Sequence, residues 1–271
     1  MGSVSAQMST TLAPAVFRSY GVVGTAGVRL LVAAVVIGVV CRTRRASYHS
    51  LRDALRVGLL LGLALIGLNV GLYEAIARIP LGTAVTLMIL GPLAVSLAAS
   101  RRRRDIAAVI LAGVGVVLIV GVQRPSSLTG VAWAMESAAS VVGYLLVIRR
   151  LGQRARGLEG VAIGVAVGAV ALLPVTVGAL GRTEHVTTAL AACVLGVAGL
   201  VVPLVIEAWA VRVLTVRVVS LMLTLDPVVA AVGGWLVLGQ ALGIASITGI
   251  ACVISAAGVS IGSLAAAARA L

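Results

Sequence analysis

Lysine is absent from this chain, acidic residues number only eight, and aromatic side chains amount to 3%. Charged residues make up 11% of the 271 positions, against roughly 25% in a soluble domain, so a water-soluble fold is excluded. Period-two alternation of apolar and polar residues over roughly ten-residue strands is missing too, which argues against a membrane β-barrel. The three cysteines, Cys41, Cys193 and Cys252, form no Cys-x-x-Cys or Cys/His ligand spacing, and His49 and His185 stand far apart. No metal site or disulfide framework is expected. His-Glu-x-x-His, Gly-x-Ser-x-Gly and phosphate-loop motifs are absent, so neither enzyme chemistry nor a cofactor is expected. Residues 1–17 lack a basic start and a clean apolar core, and are not expected to be a cleaved signal peptide.

What is present is a series of long apolar runs, long enough for helices to cross a bilayer. They predict an all-α polytopic membrane protein with ten spans near 2–17, 22–41, 55–77, 81–100, 105–122, 129–148, 159–180, 188–210, 216–238 and 243–266. The first is short and rich in Ser and Thr, as if cut at its start. Connections are brief, so neighbouring helices run antiparallel.

The net charge of +13 is carried by arginine. Arginines crowd alternate loops: Arg42, Arg44, Arg45, Arg52 and Arg56; Arg101–Arg104; Arg149, Arg150, Arg154 and Arg156; Arg212 and Arg217. The intervening loops hold Arg18, Arg78, Arg124 and Arg182 singly. By the positive-inside rule the crowded loops and both termini are cytoplasmic, in a cell membrane. The arginines therefore read as topology signals and not as a nucleic-acid surface.

One helix pair is written twice, about 134 residues apart. Glu74 precedes an Arg78-Ile-Pro80 turn and a span with Gly91-Pro92; Glu207 precedes Arg212 and a span with Asp226-Pro227. This predicts two repeats, 1–122 and 129–266, each of five helices. An odd number of spans inverts the second relative to the first, an arrangement that places a solute site near the midplane.

Ionisable groups inside spans are costly and therefore candidates for function. Asp226 lies mid-span, and Pro227 frees the carbonyl of Leu223; a structural carboxylate paired with Arg29 is the alternative. Glu74 and Glu207 fall toward opposite faces, as proton access points or as simple partners of Arg78 and Arg212. Arg29 either clamps a substrate carboxylate or neutralises an internal acid. Polar stripes at helical spacing, Ser3/Gln7/Thr10 and Glu136/Ser140/Tyr144, fit cavity lining or interhelical hydrogen bonding. Glycine pairs such as Gly58/Gly62 and Gly67/Gly71 fit close helix packing.

The stretches Gly67-Leu-Asn-Val-Gly-Leu-Tyr-Glu-Ala-Ile-Ala-Arg-Ile-Pro-Leu-Gly82, Gly91-Pro-Leu-Ala-Val-Ser-Leu-Ala-Ala-Ser-Arg-Arg102 and Leu223-Thr-Leu-Asp-Pro-Val-Val-Ala-Ala-Val232 resemble the drug/metabolite transporter superfamily. Within it the chain looks closest to bacterial threonine/homoserine exporters with two EamA-type repeats. The resemblance implies export of small metabolites across the inner membrane by exchange with protons. Arg29, Asn69, Tyr73, Pro92, Tyr144, Glu207, Asp226 and Pro227 match family features. Met88 and Gln240 stand where family members commonly carry Glu, and Asp226 replaces the usual Glu before proline. The expected partners are lipid, a small solute such as an amino acid, protons and a second copy of the chain. Weighed against export are a non-transporting assembly partner or degenerate paralogue and a lipid flippase; the last needs basic groups inside the bundle, and Arg29 alone is available.

Overall fold

The computed structural model describes residues 2–43, 51–79, 81–99, 103–120, 127–154, 159–181, 186–213, 226, 229, 243–245 and 247–256. Every regular element among them is helical: α1 (Gly2–Tyr20), α2 (Val22–Thr43), α3 (Leu51–Ile76), α4 (Leu81–Ala99), α5 (Arg103–Val120), α6 (Leu128–Arg154), α7 (Glu159–Leu180), α8 (Val186–Gly196) and α9 (Val202–Val213). A short apolar helix, α10, covers Ile247–Ala256. Among the described residues five spans are long and apolar enough to cross a membrane: Val22–Cys41, Leu55–Ile76, Leu128–Ile148, Gly160–Leu180 and Thr187–Glu207. The protein is a polytopic helical membrane protein. Span nine lies outside the described residues apart from Asp226 and Val229, as do Pro227 and Gln240.

Apolar side chains alone do not set helix contacts in lipid, where hydrocarbon surrounds the bundle on all sides; close backbone approach does. Val35 on α2 and Leu63 on α3 are accordingly exposed. Glycines provide the close approach. A methyl group built on Gly62 of α3 would lie 2.8 Å from the carbonyl oxygen of Gly164 on α7, and one on Gly164 would lie 2.6 Å from Leu61. Gly67 and Gly71, on another face of α3, are covered by Glu136 and Ser140 of α6. α3 therefore packs on both α6 and α7, while α2 packs along α7 and α4 along α6. Gly62→Leu should overpack the α3–α7 seam and cost about 1–3 kcal/mol, read as a lower melting temperature in detergent; an unchanged melt would mean that the seam is looser than described.

α8 and α9 form one continuous span, joined by a π-helical turn over Val197–Val201. This span packs on α1 and α2. Serines fasten these contacts: Ser9 Oγ of α1 donates to the Leu195 carbonyl at 2.9 Å, and Ser5 Oγ donates to that of Ala198. Ser137 Oγ of α6 donates to the Leu68 carbonyl of α3 at 3.1 Å. α1 and α2 are separated by Gly21 alone, whose φ of 71° is the left-handed conformation that ends a helix at little cost in glycine.

Candidate functional site

A cavity of about 120 Å³ lies among α1, α2, α3, α4, α6, the π turn and α9. One water needs roughly 10–15 Å³ on this measure, so the space suits a small solute. Its walls are mainly apolar, with Leu65, Leu68, Leu72, Met88 and Ile89 among them. The polar groups facing it are few: Thr10, Arg29, Asn69, Tyr144, Glu207 and Asp226.

Arg29 is 3% exposed. Its Nη1 donates to the Tyr73 hydroxyl, and its Cζ lies 5.2 Å from the centre of the Tyr73 ring. Phe17 meets that ring edge-on, with centroids 5.1 Å apart. The guanidinium is thus held by aromatic packing. Among the described residues the salt bridge is Glu74–Arg78, so no carboxylate there partners Arg29, and its Nε has no hydrogen-bond partner. A buried cation without a counter-ion is expensive, and an anionic ligand would relieve that cost.

The acids stand on the second half of the chain. Tyr144 Oη donates to Glu207 Oε2 at 2.6 Å, a charge-assisted geometry that fixes the carboxylate at the cavity wall. Asp226 is 8% exposed and faces the same space. Asn69 Nδ2 donates to the Leu65 carbonyl and Thr10 Oγ1 to that of Ala6, each committed to its own helix. Pro92 closes the wall on α4.

Not every candidate converges here. Glu74 pairs with Arg78 and lines a groove at the α1–α2 turn that shares no residue with the cavity. Tyr73 supports Arg29 from behind. Glu136 lies between α3 and α6, its Oε1 accepting from Ser140 Oγ at 2.9 Å. The side chain of Gln7 and all of Pro227 lie outside the described residues. Gly199, Leu200 and Pro203 also line the cavity, and none of the three is among the sequence candidates. The one signal for them is a proline inside the apolar run Val-Ala-Gly-Leu-Val-Val-Pro203.

A helical bundle in lipid with a solute-sized cavity, one buried cation and two facing acids has the layout of a membrane transporter. The chain belongs to the EamA-like transporter family, which is a family of transporters and not of enzymes: the family profile matches residues 128–262. It is 31% identical over 260 residues to the threonine/homoserine exporter RhtA of Salmonella typhimurium, covering 93% of this chain and 86% of that one. RhtA of Escherichia coli K12 is 30% identical over 262 residues, with the same coverage. A solved crystal structure shares the fold at a TM-score of 0.77 and 17% identity, over 96% of this chain and 93% of that one.

Proposed function

We propose that the protein exports small zwitterionic amino acids of the threonine/homoserine class across the bacterial inner membrane, driven by exchange with protons. The observation that carries this reading is Arg29, buried, without a carboxylate partner among the described residues, and facing a cavity that also holds Glu207 and Asp226. In this reading Arg29 takes the substrate carboxylate. Glu207 and Asp226 form an acidic pole that balances a positive charge, either a proton or the substrate ammonium. The names of the two relatives support the substrate class.

Alternating access would operate between two inverted five-helix halves, 1–122 and 129–266. Helix contacts that exchange in pairs support this. α3 packs on α6 and α7 as the α8–α9 span packs on α1 and α2, while α2 against α7 is its own counterpart. Arginine distribution supports cytoplasmic termini.

The test is exchange in proteoliposomes under an imposed pH gradient. Asp226→Asn should abolish exchange of labelled threonine while leaving expression intact; unchanged transport would remove Asp226 from the mechanism.

A further inference from the structure

The π turn leaves a backbone acceptor at the cavity wall. The amide of Val202 bonds the carbonyl of Val197, five residues back. α-Helix resumes over Val202–Val213, so the amide of Val205 belongs to Val201. Between these bonds lie the carbonyls of Ala198, Gly199 and Leu200, with residues 203 and 204 to serve them. Residue 203 is proline and has no amide hydrogen. Leu204 therefore serves one carbonyl, and the Ser5 hydroxyl of α1 serves that of Ala198. The carbonyl of either Gly199 or Leu200 is left without a backbone donor from its own helix, and both residues line the cavity.

Such a group needs a partner from elsewhere, either water or a ligand. Its position narrows the choice. A methyl group built on Gly199 would strike Arg29 Nη2 and Ser9 Oγ, so the guanidinium packs directly on this turn. An amino acid with its carboxylate on Arg29 carries its ammonium only two bonds away. Glu207 stands eight residues beyond Gly199, about 12 Å along the helix at 1.5 Å per residue.

We infer that the carbonyl left over at Gly199–Leu200 accepts a hydrogen bond from the substrate ammonium, which leaves Glu207 and Asp226 for the coupling proton. The inference rests on the amino-acid reading above and assigns the two ends of the substrate within it.

Pro203→Ala tests it, because in α-helical register an amide at 203 serves the Gly199 carbonyl and that of Leu204 serves Leu200, so that neither is left over. Competition against labelled threonine is measured with threonine and with N,N,N-trimethylthreonine, which keeps the positive charge and has no N–H to donate, in purified wild type and variant. The wild type should discriminate against the trimethyl compound by at least about tenfold, as expected for the loss of one hydrogen bond from a charged donor. Pro203→Ala should bind threonine about tenfold more weakly and lose most of that discrimination. Loss of the proline ring affects both ligands alike and drops out of the ratio. An equal ratio in the two proteins overturns the inference while leaving amino-acid binding intact. A wild type that binds no threonine overturns the amino-acid reading itself. Pro203→Gly carries the same amide and replaces Pro203→Ala if that variant fails to assemble.

Discussion

Arg29→Met should abolish threonine binding in a protein that remains at least as heat-stable as the wild type. The two effects have one cause. Arg29 is buried without a carboxylate partner among the described residues, so the folded protein bears its desolvation with little return. Replacing buried charge with an apolar side chain of similar length is often neutral or stabilising by about 1–4 kcal/mol. Removing one partner of a buried charge pair costs about 2–5 kcal/mol of binding, roughly 30-fold to several thousandfold. Tyr73 loses its donor in this variant, so Arg29→Met combined with Tyr73→Phe gives the cleaner stability value. Detergent melting curves and a direct binding assay read both quantities. A large loss of stability with binding retained would make Arg29 a structural residue.

Glu207→Gln should separate coupling from binding. Glutamine keeps an oxygen that accepts from Tyr144, so the 2.6 Å contact can persist, weakened from charge-assisted to neutral. What disappears is a carboxylate able to carry a proton. Threonine counterflow should continue, and its acceleration by a pH gradient should vanish. A gradient response equal to that of the wild type would exclude Glu207 from coupling.

Much of this arrangement is legible in the sequence because lipid makes buried charge conspicuous. Arg29, Glu207 and Asp226 stand out for that reason, and the structure gathers them with Asn69 and Tyr144 around one cavity. Glu74 shows the limit of the same logic. The repeat expected from the sequence would make it the counterpart of Glu207, yet Glu207 meets Tyr144 in the cavity and Glu74 meets Arg78 at a groove. Spacing along a helix carries no record of what packs against a residue. The serine contacts escape the sequence for a related reason. The stripe expected on α1 is Ser3, Gln7 and Thr10, whereas Ser5 and Ser9 are the side chains that reach the π turn. A π turn shifts register by one residue and leaves no mark on an apolar run except, here, the proline that follows it.

Binding and movement of a small amino acid through this cavity are tested most directly by counterflow. Labelled threonine is followed in proteoliposomes holding wild type or Arg29→Met. Transient accumulation above equilibrium is expected with the wild type and none with the variant. Equal traces from wild type, Arg29→Met and empty liposomes would contradict the proposed transport.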